Sequence, residues 1–121
     1  MKPFLRVMKA LSDPNRVRVV KLLEERSLCV CEIQKVLGLA QPTVSSHMKI
    51  LEDAGLVNRE RQGTWMIYSH ATNSESPYVR AMLTELRGWL SEDALLQTMI
   101  NTLPEASCLR VTNSKNGGRP S

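Results

Sequence analysis

The most reactive side chains are three cysteines, two of which are separated by a single residue. Cys29 and Cys31 flank Val30, and Cys108 lies near the carboxyl terminus. Paired cysteines in a chain without secretory features more often bind soft metal ions or undergo redox chemistry than form structural disulfides. The pair is poorly spaced for a mutual disulfide, whereas residues i and i+2 of an extended stretch point to the same side. We therefore predict that both sulfurs face one soft ion, with two small buried apolar side chains as the alternative.

Length and charge restrict the class of protein. The 121 residues suffice for a single core, and 16 Lys and Arg against 12 Asp and Glu give a net charge of +4. This balance favours a polyanionic partner, with nucleic acid as the first candidate. No apolar run is long enough to span a bilayer, and the amino terminus lacks the apolar core of a signal peptide. We expect a cytoplasmic protein with reduced thiols and no membrane partner.

Hydrophobic periodicity predicts a mainly α-helical domain with a small β-hairpin. Helices are expected at about residues 3–12, 14–26, 31–37, between Ala40 and Gly55, and from Pro77 to about 103, with hairpin arms at 56–61 and 65–70. The last helix carries an apolar stripe of Val79, Met82, Leu83, Leu86 and Leu90, continued by Leu95, Met99 and Leu103. A stripe this long on a small core is expected to face another subunit. We assign residues 1–104 to this domain and expect 105–121 to form a mobile tail.

The third and fourth helices, the turn Gly38-Leu39-Ala40 between them and the hairpin predict a winged helix-turn-helix that binds double-stranded DNA. Small or polar side chains of the fourth helix suit contacts to phosphates and base edges, and basic residues and a tight turn suit the wing. The predicted contacts are Gln41, Thr43, Ser45, Ser46, His47, Lys49, Arg59, Arg61, Gly63 and Thr64. Val44, Met48 and Leu51 are spaced i, i+4 and i+7 on the predicted buried side of the fourth helix, and His47 lies at the edge of that stripe. For His47, packing or capping is therefore an alternative. For the whole set, a solvated surface is the alternative.

Several runs of the sequence closely resemble one family over roughly residues 5 to 100. These runs are 10–16 (Ala-Leu-Ser-Asp-Pro-Asn-Arg), 28–33 (Leu-Cys-Val-Cys-Glu-Ile), 41–51, 54–57 (Ala-Gly-Leu-Val) and 63–68 (Gly-Thr-Trp-Met-Ile-Tyr). They resemble the ArsR family of metalloregulatory repressors. The resemblance implies a homodimer formed through the N- and C-terminal helices that occupies an inverted-repeat operator when empty and releases it when an inducer binds. No cofactor is then required for DNA binding.

Within this resemblance, Cys29-Val30-Cys31 is similar to the family's arsenite and antimonite site. One departure is Gln34, which stands where arsenic-responsive members commonly carry a third cysteine. The third ligand could be solvent, an exogenous thiol or Cys108, and other soft ions such as cadmium, lead or bismuth remain open. Zinc-sensing members use histidines and carboxylates along the last helix. Residues 77–103 contain no histidine, which argues against that site.

Two other functions use the same thiols. A repressor that senses thiol oxidation or persulfides would pair Cys108 with Cys29 or Cys31. A small thiol oxidoreductase would use the Cys-x-Cys pair, but the chain lacks the βαβ context of such enzymes. No Gly-rich phosphate loop or supported Ser/His/Asp arrangement is present in the sequence, so we predict that the protein is not an enzyme.

Overall fold

The computed structural model describes residues 1–103. The elements in chain order are α1 (Lys2–Ala10), α2 (Pro14–Leu22), β1 (Leu28–Cys29), α3 (Val30–Leu37), α4 (Gln41–Asp53), β2 (Val57–Gln62), β3 (Trp65–His70), α5 (Pro77–Arg87) and α6 (Ala94–Thr102). The mainly helical fold with a small sheet is confirmed. Cys108 and the predicted tail lie outside the described residues.

The helix starts follow local capping chemistry. Asp13 precedes Pro14, and its carboxylate accepts hydrogen bonds from the backbone N–H groups of Asn15 at 2.8 Å and Arg16 at 3.2 Å. Burial alone raises the pKa of Asp13, but the N–H donors of Arg16 and Asn15 outweigh burial and hold that pKa below its ordinary value. Asp13 is therefore the N-cap of α2, and its side chain fixes the corner between α1 and α2.

The helix-turn-helix is α3, a short turn and α4. Gly38 ends α3 in the left-handed conformation with φ of 70°, and its N–H bonds to the Gln34 carbonyl at 2.8 Å. A glycine is favoured here because a side chain at positive φ is strained. Val44, Met48 and Leu51 then bury one side of α4 in the core, as the i, i+4, i+7 spacing predicts. The opposite side of α4 is left for solvent or a ligand.

The wing belongs to a three-stranded antiparallel sheet in the order β1-β3-β2. Beyond the predicted hairpin, the two-residue strand β1 pairs with β3, placing Leu28 opposite Tyr68 and Cys29 opposite Ile67. The strand that carries Cys29 is therefore hydrogen-bonded directly to the second strand of the wing.

The predicted last helix is in fact two helices. Between α5 and α6 the chain turns through residues 88–93, where Leu90 adopts a positive φ of 66°. Asp93 caps α6 by accepting from the Leu96 N–H at 2.9 Å. The apolar spacing continues across this break because both helices pack on the same core, so periodicity alone did not reveal the turn.

The prediction that the apolar stripe faces another subunit is also wrong for most of its members. Val79, Leu83, Leu86, Met99 and Leu103 are buried in the core of the protomer itself. Two members of the stripe, Leu90 and Leu95, are exposed. The other exposed large apolar side chains lie at or next to α1 and α5, namely Met1, Phe4, Leu5, Tyr78 and Trp89. No helix within residues 1–103 is long and apolar enough to cross a membrane.

Candidate DNA-binding face and cysteine site

The cysteine pair straddles the junction between β1 and α3. Cys29 ends β1 in an extended conformation and is the N-cap of α3, whereas Cys31 is already in the first turn of that helix. The expectation that both cysteines share one face of an extended stretch is therefore wrong, because the helix begins at Val30. Cys29 is 1% exposed and Cys31 is half-buried.

The structure nevertheless brings both cysteines into one small cluster. Cys29 and Ile67 form its buried part, and Cys31 and Trp65 pack against them from the more exposed side. Ile67 and Trp65 are two residues apart on β3, so they project from the same face of the wing. A ligand on the two sulfurs would thus contact both the first helix of the helix-turn-helix and the wing.

A buried carboxylate holds the start of α3. Glu32 is fully buried, and its Oε1 accepts a hydrogen bond from the backbone N–H of Cys29 at 2.9 Å. Its Oε2 lies 3.4 Å from Nη1 of Arg26, whose Nη2 donates to the Leu103 carbonyl at 3.1 Å. Together Cys29 and Glu32 make a capping box, with a sulfur in place of the usual hydroxyl. This chain of bonds links the end of α6 to the backbone of Cys29.

The two cysteines differ in chemical state. Cys29 is a free thiol, and Cys31 is disulfide-bonded. Within residues 1–103, no group of three or more His, Cys, Asp or Glu side chains is placed to hold a metal ion. A soft ion at this place could therefore take both sulfurs only after Cys31 is reduced, and its third ligand would come from elsewhere.

The exposed side of α4 carries the predicted DNA contacts. Gln41, Thr43, Ser45, Ser46 and Lys49 are all exposed. The Lys49 Nζ lies 3.4 Å from Asp53 one turn later, but both side chains are more than half exposed, so this pair is weak and can be exchanged for phosphate.

His47 lies at the boundary between this exposed side and the core. It is half-buried, and its Nδ1 is 3.2 Å from Nη1 of Arg16. The Arg16 guanidinium also donates to the Ala10 carbonyl at 2.8 Å. His47 thus connects α4 to the α1–α2 corner, which matches the packing alternative more closely than a base contact.

Arg59 connects the wing to the reading helix. Its Nε lies 3.5 Å from the Glu52 carboxylate near the end of α4. Burial raises the pKa of the neighbouring Tyr68, the Arg59 charge opposes this rise and the Glu52 charge adds to it. Arg59, a predicted phosphate contact, is therefore already in a part-exposed ion pair with α4, which is weak enough to be exchanged for phosphate.

The tip of the wing is more open. Arg61 and Thr64 are exposed, and Gly63 is exposed with a φ of 63° in the two-residue turn that joins β2 to β3. These residues stand at the end of the hairpin with no ion pair to Arg61 among residues 1–103. Of the wing residues predicted to contact DNA, they are the best placed to do so.

His70, at the end of the second hairpin strand, lies in the protein interior. It is buried, and its Nε2 lies 2.7 Å from the Val20 carbonyl on α2. Burial lowers the pKa of His70, and the Val20 hydrogen bond opposes this shift only in part. Nearby, buried Lys21 pairs with Glu24 at 3.1 Å. No local sequence signal indicates the His70 contact, because its partner is distant along the chain.

Comparison with known proteins agrees with this architecture. Residues 13–59 match the bacterial regulatory protein arsR family. The arsenic resistance transcriptional regulator ArsR1 of Pseudomonas putida is 37% identical over 106 residues, which cover 83% of this chain and 81% of that protein. The arsenical resistance operon repressor of Escherichia coli is 30% identical over 107 residues, which cover 86% and 87%. The chain belongs to the ArsR family.

Solved structures similar to this ArsR-family chain share its fold. HlyU from Vibrio cholerae superposes with a TM-score of 0.63 at 26% identity, covering 74% of this chain and 92% of that one. A homodimeric winged helix-turn-helix DNA-binding domain from Mycobacterium bovis gives 0.63 at 26% identity, covering 76% and 82%. The fold and family are those of DNA-binding transcriptional regulators, which are not enzymes. The resemblance inferred from the sequence is confirmed at this level.

Proposed function

We propose that this protein is a homodimeric repressor that leaves an inverted-repeat operator when trivalent arsenic or antimony binds Cys29 and Cys31. The observation that carries the proposal is the shared cluster of Cys29, Cys31, Ile67 and Trp65. This cluster places two thiol ligands against the wing of a DNA-binding domain. The similarity to arsenical resistance repressors supports the choice of inducer.

The position of the cluster suggests how the inducer would act. Cys31 is in the first turn of α3, which packs on α4, and Cys29 pairs with Ile67 in the wing. Drawing both sulfurs onto one ion would shift α3 relative to β3. In a dimer, the two recognition helices must fit successive major grooves, so they tolerate little misalignment. A local shift would therefore weaken DNA binding at both half-sites.

The length of the chain after Leu103 would allow Cys108 to supply a third thiol ligand. Leu103 is tied through Arg26 and Glu32 to the backbone of Cys29. Cys108 follows Leu103 by five residues, and a chain of that length spans at most roughly 17 Å when extended. We therefore propose Cys108 as the third ligand in place of the cysteine that Gln34 replaces, with an exogenous thiol as the alternative.

The dimer surface that we propose is the exposed apolar patch of α1 and α5. Met1, Phe4, Leu5 and Tyr78 are all exposed, and the rings of Phe4 and Tyr78 meet edge to face with centroids 5.4 Å apart. An isologous contact through this patch would bury these side chains on both subunits. It would leave the exposed side of α4 and the wing available to DNA.

Binding of the proposed inducer can be followed by the fluorescence of Trp65, which lies in the proposed site. The chain has two tryptophans, Trp65 in the cluster and Trp89 after α5. In a Trp89→Phe background, reduced protein titrated with arsenite should change Trp65 fluorescence and release a labelled operator fragment at the same concentration. Cys29→Ser and Cys31→Ser should keep DNA binding and lose both responses.

Thermodynamic linkage between arsenite binding and operator binding gives a quantitative check on this experiment. If arsenite weakens operator binding tenfold, operator must weaken arsenite binding tenfold, a coupling of about 1.4 kcal/mol. Cys108→Ser should weaken arsenite binding and leave operator affinity unchanged if Cys108 is the third ligand. Full induction of the Cys29→Ser, Cys31→Ser double variant would refute the proposed inducer site, while unchanged induction of Cys108→Ser would assign the third position to an exogenous thiol.

The dimer has its own test. Leu5→Glu should give a folded monomer in sedimentation analysis and lose most operator affinity, because a monomer engages only one half-site. Arg6→Gln, at an exposed neighbouring position on α1, is the matched control because it lowers the net charge by the same one unit. A dimeric Leu5→Glu protein would move the interface elsewhere. Leu86→Asp is unsuitable because Leu86 is buried in the protomer core.

A second candidate function rests on the state of the thiols. Cys31 is disulfide-bonded and Cys29 is free, so a change of oxidation state is available at the same cluster. In this alternative the protein is a thiol-oxidation or persulfide sensor that uses Cys108 with Cys29 or Cys31. Operator release by a persulfide donor, abolished in Cys108→Ser, together with no response to arsenite, would favour it over the metalloid proposal.

A further inference from the structure

A cavity at the base of the wing has no part in the proposed function. Its volume is about 260 Å³, just below the roughly 300–1,000 Å³ typical of small-molecule sites, so it suits a small ligand. Two arginines, two threonines, one histidine and apolar walls line it, namely Arg80, Arg87, Thr72, Thr84, His70, Ala71 and Leu83. The lining contains no carboxylate, so its charged groups are all basic.

These polar groups are held by three separate segments. Arg80, Thr84 and Arg87 project from one side of α5, where positions i, i+4 and i+7 share a face. The Arg80 Nη1 donates to the Ser74 carbonyl at 3.0 Å, which fixes that guanidinium against the loop before α5. Arg87 and Thr84 have no side-chain hydrogen bond to residues 1–103, and His70 comes from the end of β3.

We propose that this cavity binds a phosphate group, either free or carried by a small organic molecule. Guanidinium groups recognise phosphate through several parallel N–H donors, and the threonine hydroxyls can complete a tetrahedral set of donors. The apolar wall formed by Ala71 and Leu83 would exclude water on one side and accept a short carbon skeleton.

The cavity is separate from the wing tip and from the proposed dimer patch. The face of α5 that carries Arg80, Thr84 and Arg87 points away from the side that carries Tyr78, so a dimer through the Tyr78 side leaves the cavity open. His70 ends β3 while Trp65 begins it at the wing tip, a separation of about 17 Å along the strand. Phosphate bound here would therefore sit well away from a DNA backbone gripped by the tip.

His70 supplies a spectroscopic signal for occupancy. Burial lowers the pKa of His70, the Arg87 and Lys21 charges add to this shift, and the Val20 hydrogen bond and the Glu24 charge oppose it. An anion in the cavity would offset the nearby positive charges. Phosphate should therefore raise the pKa of His70 measured from its ring proton resonances.

The test is a titration of the full-length reduced protein with inorganic phosphate, glycerol phosphate and acetate, followed by calorimetry and by the His70 resonances. We expect saturable phosphate binding with a Kd of about 1 mM or tighter. Arg87→Gln should weaken it about tenfold and Thr84→Val about threefold. Arg6→Gln, which removes an exposed arginine of α1, should bind like the parent.

The arms of the experiment distinguish the sources of the phosphate. Tighter binding of glycerol phosphate would assign an organic phosphate, and equal binding would assign the free ion. Binding of acetate as tightly as phosphate, no saturation at about 10 mM phosphate, or unchanged affinity in both variants would overturn the proposal. So would a loss of operator affinity in Arg87→Gln without any effect on phosphate, because Arg87 would then be a DNA contact. Circular dichroism of each variant checks that it is folded.

Discussion

The start of α3 and the exposed side of α4 are adjacent in sequence but organised in opposite ways. At the start of α3, Cys29 and Glu32 are buried, and Glu32 is bonded to the Cys29 backbone and to Arg26. On α4, the polar side chains from Gln41 to Lys49 are mostly exposed, and the Lys49 pair with Asp53 is weak. At the start of α3, hydrogen bonds within the protein fix the positions of the side chains. On α4, the exposed polar side chains can form hydrogen bonds with an external partner.

This difference suits the two proposed roles. A sensor must have a defined resting geometry, because an inducer can shift an equilibrium only by binding one arrangement better than another. A DNA-reading surface needs a rigid helix but adaptable side chains, and α4 supplies this by burying Val44, Met48 and Leu51 beneath the exposed polar residues. The Arg59–Glu52 pair adds one part-exposed contact between the wing and the same helix.

The largest effect is expected from removing the internal bonds of the sensor region. Glu32→Ala would leave the Cys29 N–H unsatisfied and Arg26 without this carboxylate, so it should lower the free energy of unfolding by about 3 kcal/mol. Urea denaturation at one fixed protein concentration measures the change, since a dimer unfolds with concentration dependence.

Two further variants make this measurement specific. Glu32→Gln keeps an acceptor for the Cys29 N–H and should lose less stability than Glu32→Ala. Glu25→Ala removes an exposed carboxylate after α2 and should change stability by less than about 0.5 kcal/mol. If Glu32→Ala were as stable as Glu25→Ala, the contrast between the two regions would fail.

A smaller effect is expected on the DNA-reading surface. Lys49→Ala and Arg61→Ala should each weaken operator binding about three- to tenfold and reduce the slope of log affinity against log salt by about 1, because each removes a phosphate contact. Neither should change the urea midpoint, since both side chains are exposed. Lys9→Ala on α1 is the control, and equal operator affinity in all three variants would remove α4 and the wing tip from the interface.

Much of this organisation was predictable from local sequence. The Asp13 cap, the glycine turns and the spacing of Val44, Met48 and Leu51 act over a few residues, so the helix-turn-helix and the wing could be placed before the structure. The break between α5 and α6 also had a local signal, because Gly88 is followed by a Ser-Glu-Asp run that ends at the cap Asp93. We did not predict the break because the apolar spacing continues across it.

The remaining features depend on contacts between distant segments. The pairing of Cys29 with Ile67 adds a strand of only two residues, which is too short for any alternation pattern. The buried position of Glu32 depends on Arg26 and on the end of α6. The capping box could not be recognised from the sequence because a cysteine occupies the N-cap position in place of the usual serine or threonine. For the DNA contacts, the sequence predicts the exposed surface, and the base or phosphate that each side chain contacts remains a prediction.

The smallest effect concerns His70, which is a buried titratable side chain like Glu32. Burial lowers its pKa below the ordinary 6.5, so the unfolded chain binds the proton more tightly than the folded protein. The stability contributed by neutral His70 should be complete above pH 6.5 and decrease as the pH falls from 6.5 towards the lowered value. Thermal unfolding of the parent between pH 7 and 5 should show this slope, above the range in which Asp13 titrates. His70→Gln, which retains a donor for the Val20 carbonyl, should flatten it, and an unchanged slope in that variant would assign the pH dependence to other groups.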